Sequence, residues 1–174
     1  MGRDKAIVWF RGKPLWQVQL ELLRQLTPQE IFVSARSDPD WRPADVQFIA
    51  DDPPSRGPLS GLTTSIERIT TSHLLVLAID MPEMTGTYLK FLYSQIKAGC
   101  GVVPKINNRA EPLAAIYPRE AVSEFRSALR SAEFSLQSVT RDLAAAGKLR
   151  EIAVPEHETK LFLNFNAQDE LRWS

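Results

Sequence analysis

Leu74-Leu75-Val76-Leu77-Ala78-Ile79-Asp80-Met81-Pro82 is the stretch whose reading decides the fold. Six consecutive apolar residues, short and β-rich, read as a strand buried on both faces of a parallel sheet. The run stops at a carboxylate, and Pro82 forbids a continued ladder two residues later. Open α/β sheets bind ligands beyond the carboxyl ends of their strands, which is where Asp80 falls. A carboxylate there suits a hard cation such as Mg²⁺, which takes oxygen ligands and keeps several waters. It equally suits a turn aspartate that only accepts from nearby backbone N–H groups.

Outward from this strand, helical and strand-like stretches alternate. Toward the N-terminus, Pro14 opens a helix whose stripe is Leu15, Val18, Leu22, Leu23 and Leu26. Ile31–Val33 and Val46–Ala50 read as strands, the second running into Asp51-Asp52-Pro53-Pro54. Arg56-Gly57-Pro58-Leu59-Ser60-Gly61-Leu62 then begins a helix reaching about Ile69. Proline at a helix start between glycines leaves N–H groups accessible, and such an end can hold phosphate or mark an ordinary turn. Toward the C-terminus, Thr87–Ala98 reads as a helix and Val102-Val103 as a strand. Asn107-Asn108-Arg109 reads as a polar loop and Leu113–Tyr117 as a strand. Helices follow over 119–133 and 136–146, the latter closed by Gly147, then a strand at Ile152–Val154 and a short helix from about Gln168. This alternation predicts a three-layer α/β domain with a mainly parallel sheet over residues 1–174.

Composition narrows the function classes. Lys+Arg and Asp+Glu both number 21 in 174 residues, so no global field draws in nucleic acid or an acidic membrane. The one cysteine, Cys100, rules out an internal disulfide and a cysteine-rich metal site. No apolar run approaches the ~20 residues of a membrane span, and a cytoplasmic protein is expected. His73 and His157 are isolated, and Trp9, Trp16, Trp41 and Trp173 are scattered rather than set as a stacking platform, so packing is the expected role of all six.

Several stretches, in order, resemble the MobA-like nucleotidyltransferases that make the guanine dinucleotide form of molybdenum cofactor. They are Met1-Gly2-Arg3-Asp4-Lys5-Ala6, Gly12-Lys13-Pro14-Leu15, Gly57-Pro58-Leu59-Ser60-Gly61, Asp80-Met81-Pro82, Glu111-Pro112-Leu113 and Asn164-Phe165-Asn166. The resemblance implies a Rossmann-like nucleotidyltransferase fold and transfer of GMP from GTP to molybdopterin with release of pyrophosphate. It implies that Lys5 meets the nucleotide phosphates and that Asp80 is the Mg²⁺ ligand. Asp51, or Asp52 one residue on, matches the acidic residue tied to nucleotide binding, and Asn164 and Asn166 match the asparagines that complete the metal and product site. Arg109 and Pro112–Tyr117 lie where the family approaches the pterin. Molybdenum-insertion and molybdoenzyme chaperone proteins are the partners it suggests.

One departure matters. The family pattern places an apolar strand and a glycine-rich loop before Met-Gly-x-Asp-Lys, whereas this sequence starts at that Met. The expectation is a longer natural protein, because losing an inner strand and its phosphate-cradling glycines costs sheet integrity and nucleotide affinity. The family's Thr-Pro after the second asparagine is also replaced, by Ala167-Gln168. Cytidylyl transfer, and a non-catalytic nucleotide-fold binder, are the competing readings.

Overall fold

The computed structural model describes residues 4–51, 57–131 and 135–165. It opens with a single 3₁₀ turn, Lys5–Ile7, capped by Asp4, whose carboxylate accepts from Ala6 N–H at 3.0 Å. Strands β1 (Trp9–Phe10) and β2 (Lys13–Pro14) form a small hairpin over Arg11 and Gly12, both at positive φ. Pro14 then stands at the N-cap of α1 (Leu15–Arg24), which buries Leu15 and Leu22 of the expected stripe, with Val18, Leu23 and Leu26 half-buried, and also buries Leu20, which the stripe does not include. Strands β3 (Phe32–Ala35) and β4 (Gln47–Ala50) pair in parallel, and α2 (Pro58–Arg68) leads to β5 (His73–Leu77).

Helix α3 (Gly86–Ser94) ends earlier than the sequence pattern predicts. Lys97 and Cys100 exchange two backbone hydrogen bonds of 2.9 Å around Gly99, whose φ of +68° stops a helix. Strand β6 (Gly101–Ile106) follows, then β7 (Arg109–Ala110) and β8 (Ala114–Pro118). Helices α4 (Val122–Arg130) and α5 (Leu136–Ala145) precede β9 (Leu149–Ala153), and a 3₁₀ segment, Glu156–Phe162, closes the described chain before Asn164.

The layers are those of an α/β fold. Leu59, Leu62 and Ile66 of α2, Phe125 of α4 and Val139 and Leu143 of α5 form one apolar cluster, against which Leu74 and Val76 of β5 pack. Leu22 of α1 and Tyr88, Leu89 and Leu92 of α3 form a second cluster, which takes Leu75 and Leu77. Successive side chains of β5 thus enter opposite clusters, as the pleat requires.

The strand directions correct the expectation of a mainly parallel sheet. The pairs β3–β4 and β6–β9 are parallel, but β5–β8, β6–β8 and β6–β7 are antiparallel. The cause is local. Asn107 and Asn108 sit at φ 46° and 64°, so what reads as a polar loop is a two-residue hairpin turn. A turn that short reverses the chain, and β8 returns against β6 and then against β5. Gly101 permits the crossing: a Cβ there would lie 1.9 Å from the Ile116 carbonyl oxygen.

Strand β5 differs from expectation in one further respect. It is covered on both faces yet only partly buried at all five positions. Its partner is β8 on one edge; among the described residues no strand pairs with its other edge, and none joins β3–β4 to the larger sheet. The side-on opening, not a solvated face, leaves these side chains accessible.

Candidate active site

The carboxyl ends of β3, β4 and β5 meet the start of the chain. Asp4 not only caps its own turn; its second carboxylate oxygen accepts from Trp41 Nε1 at 3.2 Å. That turn delivers Lys5, whose Nζ donates to Asp80 Oδ2 at 2.7 Å. Asp80 follows β5 by three residues, and its carbonyl accepts from Phe165 N–H at 2.7 Å. Phe165 is buried edge-on against Phe10, with ring centroids 5.2 Å apart, so the tail is pinned and exposed Asn164 stands beside Asp80 in the backbone path. Asp52 and Asn166 lie outside the described residues.

Asp51, just past β4, accepts from Ser34 Oγ of β3 at 3.0 Å. Helix α2 comes in tightly beside them. A Cβ on Gly61 would lie 2.0 Å from Ser34 Oγ and 2.9 Å from Asp51 Oδ1, so only glycine lets this helix approach the strand ends. Asp51 and Asp80 both line one cleft of about 1750 Å³ with Gly57, Pro58 and Gly61. The segment after Arg109 also reaches this end, because Ala78 N–H donates to the Leu113 carbonyl at 2.7 Å. Burial pushes the Glu111 carboxyl up from its ordinary range, with Arg109 opposing it. Arg109 itself is exposed on β7.

The structure therefore brings Lys5, Asp51, Asp80 and Asn164 to one end of the sheet. The family model of the MobA-like NTP transferase domain matches residues 1–151, which include Lys5, Asp51 and Asp80. The chain belongs to the MobA-like NTP transferase family. A protein of Opitutus terrae named "Probable molybdenum cofactor guanylyltransferase" is 31% identical over 173 residues, spanning 98% of this chain and 86% of the relative. The molybdenum cofactor guanylyltransferase of Serratia proteamaculans is 25% identical over 174 residues, spanning 99% and 86%. In fold, the chain is similar to molybdopterin-guanine dinucleotide biosynthesis protein A of Archaeoglobus fulgidus, with a TM-score of 0.75 at 24% identity over 98% of this chain and 88% of that one.

Within this MobA-like domain, a divalent ion at Asp80 is compatible with the donor set. Among the described residues no group of three His, Cys, Asp or Glu side chains could enclose a metal. A hard ion there would rely on one carboxylate, waters and phosphate oxygens, which is the way Mg²⁺ is commonly held. Asp80 already engages a cation, the Lys5 ammonium, with a side chain only 17% exposed.

Sequence reasoning missed three supports of this site. Trp16 and Trp41 are not scattered: they stack at 5.6 Å and 14°, and Trp41 ties down Asp4. Ser34 orients Asp51, and Phe10 clamps Phe165. Only Asp4 carried a local signal, an aspartate one residue before a short turn. His73 stays with a packing role: its ring nitrogens meet Ser72 Oγ at 3.0 Å and the Lys97 carbonyl at 3.1 Å. Among the described residues no helix is long and apolar enough to cross a membrane.

Proposed function

We propose that the chain is a guanylyltransferase that joins GMP from GTP to molybdopterin. A terminal phosphate oxygen of the pterin attacks the α-phosphorus of GTP. The new P–O bond forms as the α–β phosphoanhydride bond breaks, and pyrophosphate leaves with the electron pair. The attacking oxygen is already an anion, so the protein needs no strong base and works by positioning and charge neutralisation. The observation that carries the reading is the Lys5–Asp80 pair, 2.7 Å apart, beyond the carboxyl end of β5 in a chain of the MobA-like NTP transferase family.

In this reading the residues divide the work. Lys5 exchanges its bond to Asp80 for the phosphates and supplies a point charge there. Asp51, oriented by Ser34, accepts from donor groups of the nucleotide. Asp80 would hold Mg²⁺, which would supply Lewis-acid stabilisation of the phosphate oxygens. Asn164 lies beside Asp80 as a further polar contact, and Glu111 to Leu113 border the acceptor side.

Titration of the chain with GTP, CTP and ATP, each with and without Mg²⁺, tests the base and the metal together. GTP binding that strengthens with Mg²⁺ is expected, with a pyrophosphate-release assay on molybdopterin reading the transfer. Asp80→Asn keeps the side chain's shape and should cut turnover by orders of magnitude with the fold intact. Preference for CTP, or turnover in Asp80→Asn equal to the parent chain, refutes the assignment.

A further inference from the structure

We propose that Trp41 is a positioning residue for the phosphate contact: acting through Asp4, it fixes the direction in which Lys5 reaches the nucleotide. The inference deepens the guanylyltransferase reading and rests on it for the ligand, GTP. The first observation is how Trp41 is itself held. It lies in the loop between β3 and β4, which the Arg42 guanidinium closes on Asp38 with two bonds of 2.6 Å, Nε to Oδ1 and Nη2 to Oδ2. Arg42 N–H also donates to the Pro39 carbonyl at 3.0 Å, and its Nη1 donates to the carbonyl of buried Val46. A planar fork on a carboxylate fixes geometry as well as charge, so Pro39, Asp40 and Trp41 are bracketed in one turn. The Trp41 ring stacks on Trp16 of α1, which covers a face of the indole and leaves its N–H to find a partner at the edge. That partner is Asp4.

The second observation is how the Asp4 carboxylate divides its two oxygens. Oδ1 accepts from Ala6 N–H at 3.0 Å and caps the turn locally; Oδ2 accepts from Trp41 Nε1 at 3.2 Å and ties the turn to the loop. A cap satisfies its own turn but does not set where that turn points. A single turn of 3₁₀ helix is too short to hold a direction by itself. Its far end is fixed separately. Val8 N–H donates to the Lys5 carbonyl at 3.1 Å, and the Val8 carbonyl accepts from Leu15 N–H at the start of α1 at 2.9 Å.

Lys5 thus stands between a residue held to α1 and a residue held to Trp41. Its backbone is fixed on both sides, and the side chain is what moves from Asp80 to the phosphates. Trp16, Trp41, Asp4 and Asp80 line one cleft, so the tether and the lysine's target share the same end of the sheet. The contribution of Trp41 is one of aim, and it vanishes when the aimed group is absent.

A double-mutant cycle on the whole chain tests this, with GTP and guanosine titrated in parallel by calorimetry. Trp41→Phe keeps an aromatic ring over Trp16 and removes the indole N–H. It should weaken GTP roughly three- to tenfold, a part of what the Lys5 contact contributes, and leave guanosine unchanged. In a Lys5→Ala background the same substitution should do nothing further. Asp4→Asn, which with Oδ1 still capping turns an amide N–H toward the indole N–H, should match Trp41→Phe. Parent-like GTP affinity in Trp41→Phe, an equal loss for guanosine, or the full loss retained in the Lys5→Ala background each overturns the proposal. Hydrogen exchange without nucleotide supplies an arm independent of the ligand. Trp41→Phe should speed exchange of the Ala6 and Val8 amides about tenfold and leave that of Gly101, which donates to Lys148, as in the parent. Unchanged exchange at Ala6 and Val8 also overturns it. A parent chain that binds no GTP refutes the guanylyltransferase reading instead, and the exchange arm then decides by itself whether Trp41 holds the turn.

Discussion

At the scale of single residues, the site's charge is concentrated in Lys5 and Asp80. Their side chains are 48% and 17% exposed, so the pair is partly solvated and adds at most about 1 kcal/mol to folding. Its value to the molecule is placement: the Asp4 cap and the Trp41 bond hold the turn that aims the lysine at the strand end. Lys5→Ala should therefore leave the melting temperature nearly unchanged. A charge-assisted phosphate contact contributes about 1.5–3 kcal/mol, so GTP binding should weaken roughly ten- to a hundredfold. Guanosine, which lacks the phosphates, should bind as before. Equal weakening of both ligands in a calorimetric titration puts Lys5 outside the phosphate site.

At the scale of an element, α2 is the helix whose position the site depends on. Pro58 starts it with a fixed φ and no N–H to satisfy, and Gly57 precedes it at φ 66°. Two of its buried hydroxyls are satisfied within the helix, Thr63 donating to the Leu59 carbonyl at 2.8 Å and Ser65 to that of Gly61 at 2.7 Å. Two effects compete at Gly61. Alanine gains about 1 kcal/mol of helix propensity, but its Cβ must displace Ser34 Oγ or the whole helix, and overpacking costs typically about 1–3 kcal/mol. The collision should win, lowering the urea midpoint of Gly61→Ala. Ser34→Ala removes the struck atom, so adding it to Gly61→Ala should recover most of the loss. A Gly61→Ala chain as stable as its parent would show that the helix does not lie this close.

At the scale of the whole molecule, the two sheets differ in how they are held. The β5–β9 sheet has helices on both faces and contains the fully buried Val102, Val103, Ala114 and Tyr117. Tyr117 packs edge-on to Phe125 at 5.1 Å and donates to the Pro112 carbonyl at 2.7 Å; burial also drives its phenol well above the ordinary range. Among the described residues the β3–β4 pair has two strands, and Phe32 and Val33 are half-buried. A two-stranded unit of this kind has little stability of its own. In native-state exchange, the Gln47 and Asp51 amides bonded to β3 should open at a free energy below that of the Gly101 amide, which donates to Lys148 at 2.9 Å beside β9. Equal opening energies would mean that the two sheets unfold as one unit.

What the sequence by itself determined is whatever depends on neighbours in the chain. The stripe Leu15, Leu22 and its companions specifies α1, Gly57-Pro58 places the start of α2, and the apolar run to Ile79 sets β5 with Asp80 beyond its end. Periodicity and punctuation are local signals, and these elements obey them. The tertiary structure decided everything that depends on which edges and faces meet. Left-handed Asn107 and Asn108 turn β8 antiparallel, a choice that a polar Asn-Asn-Arg loop does not announce. Trp16 meets Trp41, Ser34 meets Asp51 and Gly61, and Phe10 meets Phe165 across separations that no repeat period spans. The same holds for the open edge of β5. Its composition specifies burial on both faces, but a strand is enclosed only when both its ladders close, and among the described residues β8 pairs with one edge of β5 and no strand with the other.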